Sequence, residues 1–171
     1  MKLNVSFGIV GIYNSVKRFL LISIFAVFAL CQFCEAWEGR VVKVFDGDTI
    51  GVLRGRSTER IRLYGIDCPE RGQDFGERAR QFTSRMVFGK NVEVIPEDRD
   101  QFGRAVSWVR VGNSSLNHAL VKEGLAWHYK RYAGQENELA ELEAYARKQK
   151  VGLWSHKNPT APWEFRRRQE R

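Results

Sequence analysis

Acidic and arginine residues concentrate at three places in the sequence, each beside an apolar run rich in β-branched residues. The first is the turn Asp46-Gly47-Asp48-Thr49, the second is the segment 62–70 (RLYGIDCPE), and the third is the turn DQFGR, which ends at Arg104. An Asp-Gly-Asp turn alone is weak support for a site, because turns favour these residues. An arginine inside an apolar strand, such as Arg62, is costly unless an anion or a carboxylate pairs with it.

Together these residues could hydrolyse a phosphodiester with the help of a hard cation. Asp48 and Asp67 can supply hard oxygen ligands, which suit Ca²⁺ or Mg²⁺. The three histidines are scattered, so no zinc-ligand spacing appears, and no hydroxyl–histidine–acid arrangement stands out. Phosphodiester hydrolysis needs a cation, an acid that handles water and fixed arginines, because charge grows on the phosphate oxygens in the transition state. The candidate set is Asp48, Arg62, Asp67, Glu70 and Arg104.

The elements that position these residues are predicted to form an α+β fold, a five-stranded OB-fold β-barrel with three helices. The predicted strands are 40–45, 49–53, 60–66, 91–95 and 105–111. A first helix follows the third strand, with Asp74 and Glu77 as a capping box and Gly89 as its stop. A second helix starts near Asn113 or Ser114 and ends at Gly124, and a third covers about 136–150. The order β-β-β-α-β-β-α-α is typical of an OB-type barrel, whose open face commonly takes oligonucleotides.

Residues 1–36 are predicted to be a cleaved signal peptide. Lys17-Arg18 precede a short apolar run, 19–30, and Cys34-Glu35-Ala36 offers small residues at a cleavage site before Trp37. The run is shorter than the ~18–20 residues that span a bilayer, which disfavours the alternative of an uncleaved anchor. We therefore expect a secreted or periplasmic protein without stable membrane association after cleavage. It would consist of one domain, 37–157, and a basic, solvated tail, 158–171.

Charge and cysteine content narrow the partner and the means of stabilisation. The 171 residues carry a net charge of +8, and removal of residues 1–36, with three basic residues and one acid, leaves +6. A basic balance favours a polyanionic partner but does not by itself choose between nucleic acid, glycan and membrane surface. Only Cys68 would remain after cleavage, which excludes an intramolecular disulfide framework in the mature chain.

The motifs resemble the staphylococcal nuclease (thermonuclease) family. The resemblance is carried by segments 46–49, 62–70 and 102–104. It continues through 116–126 (LNHALVKEGLA) to Gly152-Leu153-Trp154, so it covers about residues 39–155 in the family's order and spacing.

The resemblance implies a Ca²⁺ centre and a set of catalytic residues. Asp48 and Asp67 match the family's Ca²⁺-ligating aspartates, and Cys68 stands where a backbone carbonyl contacts the ion. Glu70 matches the acid that holds or deprotonates the attacking water. The two arginines that grip the scissile phosphate correspond to Arg62 and Arg104. The resemblance further implies that the substrates are DNA and RNA. They would be cut endonucleolytically, with little sequence preference, to leave 3′-phosphates.

Four residues have supporting or peripheral parts in this prediction. Tyr132 matches a tyrosine that lines the nucleotide pocket, and Lys130 replaces a second pocket tyrosine. Asp46 and Thr49 are candidates for supporting the metal ligands, against ordinary roles as turn and strand residues.

We expect a monomer. The alternatives are a non-catalytic nucleic-acid-binding OB module, and an exported basic protein that binds anionic envelope polymers.

Overall fold

The predicted site residues lie on a β-barrel of five long strands, which pair antiparallel except for one parallel contact. The computed structural model describes residues 35–171, and the predicted signal peptide lies almost entirely outside them. The strands are β1 Trp37–Val44, β2 Thr49–Arg54, β3 Ser57–Leu63, β4 Ile66–Asp67, β5 Asn91–Arg99, β6 Ala105–Val111, β7 Ser114–Ser115 and β8 Trp127–His128.

The barrel closes through a parallel contact between β3 and β6. The sheet order is β3-β2-β1-β5-β6-β7, and the additional pairing of β3 with β6 closes the five long strands into a barrel. In that pairing Ile61 lies opposite Ala105 and Arg62 opposite Val106. Closure removes the exposed sheet edges, since each long strand then has two neighbours. The five-stranded barrel expected from the sequence is therefore confirmed, and the short β4–β8 ladder lies beside it.

All three predicted helices are present, but their boundaries differ from the prediction and two further helices occur. They are α1 Gly76–Val87, α2 Leu116–Lys122, α3 Lys130–Ala133, α4 Asn137–Gln149 and α5 Pro162–Gln169, with a 3₁₀ turn at Gly152–Ser155. The three predicted helices correspond to α1, α2 and α4. The short α3 and the C-terminal α5 were not predicted.

The predicted capping box of the first helix is wrong. The helix begins at Gly76, one residue after Phe75, and Phe75 has a left-handed φ of 68° without a side-chain cap. Asp74 therefore does not reach the helix start, and its carboxylate lies 3.8 Å from His156 Nδ1. Glu77 instead accepts hydrogen bonds from Arg80 further along the same helix.

The core lies inside the barrel and under α1, α2 and α4. Its largest fully buried side chains include Ile50, Ile61 and Leu63 from the strands and Leu116 and Leu139 from the helices. Burying such side chains contributes roughly 1.5–3 kcal/mol each relative to exposure. Within residues 35–171 we find no helix with the length and apolar character needed to cross a membrane.

The C-terminal segment is a packed helix and not the solvated tail that the sequence predicted. Pro162 opens α5 at a position that suits proline, and both Ala161 and Pro162 are buried. The Trp163 ring stacks on Tyr129, with centroids 5.3 Å apart, and meets Trp127 edge to face. The packing of these aromatic rings therefore keeps α5 on the domain, although its positive charge alone would favour exposure to water.

Candidate active site

The turn between β1 and β2 is pressed against the end of β4 and against α1. A Cβ atom at Gly47 would lie 2.7 Å from the Cys68 Cβ and 2.8 Å from the Ala79 Cβ, so only glycine allows this approach. The Thr83 hydroxyl of α1 donates a hydrogen bond to the Gly47 carbonyl at 2.6 Å. The turn therefore presents Asp48 from a fixed backbone.

Asp48 is buried, with 6% exposure, and is held by hydrogen bonds at both carboxylate oxygens. Its Oδ1 accepts from the Thr49 hydroxyl at 3.2 Å, and its Oδ2 accepts from the Cys68 backbone N–H at 2.6 Å. Its own backbone N–H donates to Asp46 Oδ1 at 3.1 Å. Asp46 and Thr49 thus touch the candidate ligand directly, as a supporting role requires.

Arg62 joins the two aspartates that the sequence singled out. Its Nη1 lies 3.2 Å from Asp48 Oδ2, and its Nη2 donates to Asp67 Oδ1 at 2.8 Å. Nη1 also donates to the Leu63 carbonyl at 3.0 Å, so the fork is held from both sides. The β2–β3 register, which sets Thr49 opposite Arg62, brings these groups together.

The carboxylate cluster carries more negative charge than Arg62 neutralises. Burial, followed by the Asp48 charge, raises the pKa of Asp67 against the opposing effect of the arginines. Burial and the Asp48 charge likewise raise the pKa of Asp46 to about 7. Crowded, buried carboxylates favour an added cation, because the cation removes their mutual repulsion.

The donor set fits a hard cation such as Ca²⁺. Asp48 and Asp67 supply oxygen ligands, and both lie within reach of one guanidinium. Within residues 35–171 no group of three or more His, Cys, Asp or Glu side chains is placed to hold a metal ion. The predicted set does not need one, since its third protein ligand is a backbone carbonyl, that of Cys68.

Cys68 is an inert thiol beside the cluster. It is buried, and burial raises the pKa of its thiol well above the usual value. The thiol therefore stays protonated near neutral pH and offers no thiolate to a metal. Its backbone N–H serves Asp48, while the role of its carbonyl as a metal ligand stays a prediction.

Glu70 lies in a loop fixed by two further contacts. Its backbone N–H donates to Gln73 Oε1 at 3.0 Å, and Gln73 Nε2 donates to the Thr160 carbonyl at 2.7 Å. A Cβ atom at Gly76 would lie only 2.0 Å from the Glu70 carbonyl oxygen, so the start of α1 can pack on this loop only as glycine. The loop is thereby tied both to α1 and to the segment before α5.

Arg166 of α5 donates hydrogen bonds to two candidate residues, Asp67 and Glu70. It was not identified from the sequence. Its Nη2 donates to Asp67 Oδ2 at 2.9 Å, and its Nη1 donates to Glu70 Oε1 at 2.5 Å. Nη1 also reaches Asp67 Oδ1 at 3.3 Å. The proline and tryptophan that precede the arginine run were the available signal, because Pro-Trp can start and anchor a helix.

Arg104 reaches the same end of the barrel from the neighbouring strand. Arg62 lies opposite Val106, and Arg104 directly precedes β6, two residues before Val106. It lines an open cavity of about 300 Å³ together with Arg60, Phe102 and Gly103. Its terminal nitrogens make no hydrogen bond within the part of the chain that the structure describes, so they are free to bind an anion.

Asp100 fixes the Arg104 side chain. Its Oδ2 accepts from Arg104 Nε at 2.6 Å, and its Oδ1 accepts from the backbone N–H groups of Arg104 and Phe102. Burial alone would raise the pKa of Asp100, but the hydrogen bonds from Arg104 and Phe102 outweigh it and lower the pKa. Asp100 is therefore ionised at neutral pH and orients the arginine fork.

If the site cuts nucleic acid as the resemblance implies, replacing Asp100 with asparagine is expected to lower kcat for denatured DNA by about tenfold, since Arg104 would lose a charged partner and some of its preorganisation. Asparagine keeps an oxygen for the turn, so the turn itself should persist. Asp98→Asn is the matched control, because within residues 35–171 the exposed Asp98 carboxylate accepts a hydrogen bond only from the adjacent Arg99 N–H. Equal rates in wild type and Asp100→Asn, measured as initial velocities, would remove Asp100 from this role.

The predicted pocket residues lie apart from the carboxylate cluster. Lys130 and Tyr132 are both exposed and belong to α3. Lys130 lines a cavity of about 640 Å³ with Trp127, Tyr129 and Trp163, whereas Tyr132 does not line it. Within residues 35–171 neither residue contacts the candidate catalytic side chains, so substrate binding at these positions stays a prediction.

The fold and the site define an OB-type barrel with an acid–arginine centre at one end. The model of the family described as staphylococcal nuclease homologue matches residues 60–156 of this chain. A micrococcal nuclease of Shigella flexneri is 41% identical over 146 residues, which cover 77% of this chain and 83% of that protein.

Two further relatives extend the comparison. An uncharacterized endonuclease of Escherichia coli O157:H7 is 40% identical over 143 residues, 83% of this chain and 93% of the relative. The staphylococcal-like nuclease CAN1 of Arabidopsis thaliana is 41% identical over 108 residues, 63% of this chain and 33% of the plant protein. The chain therefore belongs to the staphylococcal nuclease family.

Proposed function

We propose that this protein is an exported, Ca²⁺-dependent endonuclease that hydrolyses DNA and RNA with little sequence preference and leaves 3′-phosphate ends. Membership of the staphylococcal nuclease family supports a nuclease. The observation that carries the proposal is the buried pair Asp48 and Asp67, which share Arg62 at the end of the barrel. Two buried carboxylates that share one arginine are stabilised by a further positive charge. Phosphodiester hydrolases use a bound metal cation in catalysis.

Asp48, Asp67 and the Cys68 carbonyl are the residues that would hold Ca²⁺. When bound, the ion would supply positive charge beside the scissile phosphate and neutralise charge that develops there. The Thr49 hydroxyl and the Cys68 N–H fix the Asp48 carboxylate, and Asp46 fixes its backbone. A ligand restrained at both oxygens keeps its position during turnover.

Three side chains act on the phosphate and on water. The free terminal nitrogens of Arg104 donate to the phosphate oxygens, and Asp100 holds that fork in place. Arg62, which pairs with Asp48 and Asp67, would stabilise the same negative charge. Glu70, whose side chain is 35% exposed, accepts a proton from the attacking water or orients it.

The rest of the proposal concerns substrate and location. Without residues 1–36 the chain carries a net charge of +6, which suits a polyanion, and Lys130 and Tyr132 would offer a charge and a stacking surface to a flexible strand. Such contacts tolerate any base, which agrees with low sequence preference. We propose export through the segment 1–36, a secreted or periplasmic monomer and no membrane association after cleavage.

The proposal predicts a Ca²⁺-dependent loss of polymeric substrate. Protein purified after export should begin at Trp37 by N-terminal sequencing. It should degrade denatured DNA and RNA in Ca²⁺ and stop when EGTA is added, with products that a 3′-phosphatase can dephosphorylate. Electrophoresis of timed samples measures the Ca²⁺-dependent degradation, and end analysis of the products identifies the 3′-phosphate.

Each outcome has a defined meaning. Full activity in EGTA would contradict the metal assignment to Asp48 and Asp67. No activity in Ca²⁺ across pH 7–10, together with retained binding of single strands, would indicate the non-catalytic OB module. An N-terminus upstream of residue 37 would contradict the cleavage site.

A further inference from the structure

The C-terminal helix α5 brings a third arginine into the candidate site. We infer that Arg166 is a further residue of this site and that it sets the affinity of Asp67 and Glu70 for the divalent cation. The inference rests on the Ca²⁺ dependence proposed above. It concerns a residue outside 60–156, the part of the chain that the family model matches.

Arg166 occupies the carboxylate oxygens that a cation and its bound water would use. It donates to both oxygens of Asp67 and to Oε1 of Glu70, so one guanidinium bridges two carboxylates. Asp67 Oδ1 also accepts from Arg62. Arginines therefore take three of the about four lone-pair sites of the Asp67 carboxylate, and two of those three hydrogen bonds come from Arg166. Arg166 and the cation compete for the same atoms.

Of the two arginines on Asp67, Arg166 is the one able to withdraw. The Arg62 side chain is 15% exposed and also binds Asp48 and the Leu63 carbonyl. The Arg166 side chain is 40% exposed and projects from a surface helix. Its long side chain can swing into water at little cost in desolvation, whereas a buried guanidinium cannot.

The helix does not depend on Arg166 for its position. Trp163 stacks on Tyr129 and contacts Trp127, and Ala161 is buried at the helix start. The preceding segment is tied down where Gln73 donates to the Thr160 carbonyl. These contacts would keep α5 docked when Arg166 is changed, so its ion pairs are available for another task than anchoring.

Charge gives the direction of the effect. Asp48, Asp67 and Glu70 together carry three negative charges, and Arg62 and Arg166 return two positive ones. Loss of Arg166 would leave the cluster more negative and would free the Asp67 and Glu70 oxygens. Both changes raise the affinity for a dication. If Arg166 served only to anchor α5, its replacement would leave the Ca²⁺ affinity unchanged or lower it.

The test is the Ca²⁺ dissociation constant, measured by isothermal titration calorimetry on the purified protein without nucleic acid. We expect Arg166→Gln to bind Ca²⁺ about tenfold more tightly than wild type, which corresponds to about 1.4 kcal/mol. Arg168→Gln is the matched control, because it removes the same charge from the same helix at an exposed position. We expect its Kd to change less than about twofold, since solvent and salt screen a more distant charge. Circular dichroism and urea unfolding check that each variant is folded.

A second variant keeps the inference testable should Arg166→Gln not fold. Arg166→Lys retains the charge but loses the fork that bridges two carboxylates, so its Ca²⁺ affinity should rise about threefold. Unchanged or weaker binding in the folded Arg166 variants, beside normal binding in wild type, would overturn this inference alone. An absence of Ca²⁺ binding by wild type would instead overturn the proposed Ca²⁺ dependence and this inference with it.

Discussion

Replacing Arg104 with glutamine is expected to lower kcat for denatured DNA by about a thousandfold while the fold stays intact. The terminal nitrogens of Arg104 make no hydrogen bond to any residue of 35–171 and can bind the phosphate. The loss of a preorganised donor to developing charge has a large cost in rate. The structural cost is small because the ion pair with Asp100 is near the surface, with the Arg104 side chain 24% exposed. Single-turnover rates at saturating Ca²⁺ measure the chemical step.

The control for this prediction is Arg110→Gln. Arg110 belongs to the same strand, β6, and is exposed, 4.0 Å from Glu93. It removes the same charge without reaching the candidate site, so kcat should stay within about twofold of wild type. A similar loss in both variants would point to general electrostatic attraction of substrate. Near-normal turnover in Arg104→Gln would contradict the role of Arg104 in catalysis.

Replacing Arg62 with glutamine is expected to abolish activity and also to destabilise the protein when EGTA is present. Arg62 is the shared partner of Asp48 and Asp67, and both carboxylates are buried. Removal of one partner from a buried charge cluster typically costs about 3–5 kcal/mol, because the remaining charges stay out of water. We expect a loss of about 3 kcal/mol in the free energy of unfolding, measured by urea titration in EGTA.

Ca²⁺ should restore part of this lost stability, since a dication neutralises the same two carboxylates and binds only the folded protein. Arg60→Gln is the control: Arg60 lies two residues earlier in β3, is exposed and stacks over Phe45. Its stability should change by less than about 1 kcal/mol. An Arg62→Gln variant as stable as wild type in EGTA would show that the aspartates do not need this arginine.

The two arginine predictions separate catalysis from architecture. Arg104 and Arg62 face the same end of the barrel, yet only Arg62 is built into the carboxylate cluster. We therefore expect activity and stability to be lost together at Arg62 and activity alone at Arg104. Such a split distinguishes a site with roles for single residues from a merely charged surface.

Local sequence was sufficient to predict the barrel and most of the carboxylate cluster. Alternating apolar runs separated by Asp-Gly and Gly turns define a meander, and in a meander the residues beside each turn must meet. Thus Asp48 ends the turn before β2, and Arg62 lies opposite Thr49 in β3. The turn residues themselves are local, whereas the close approach of Gly47 to Cys68 is a tertiary contact.

Tertiary contacts decided what the local pattern mispredicted or left out. The Asp74 capping box fails because Phe75 takes a left-handed φ of 68° and the helix begins only at Gly76. Arg166 contacts Asp67 across 99 residues of chain, and no spacing rule joins them. An arginine-rich end predicts a solvated tail, since charge opposes burial. Here the stacking of Trp163 on Tyr129 outweighs that tendency, and this nonlocal aromatic contact carries the arginine to the carboxylates.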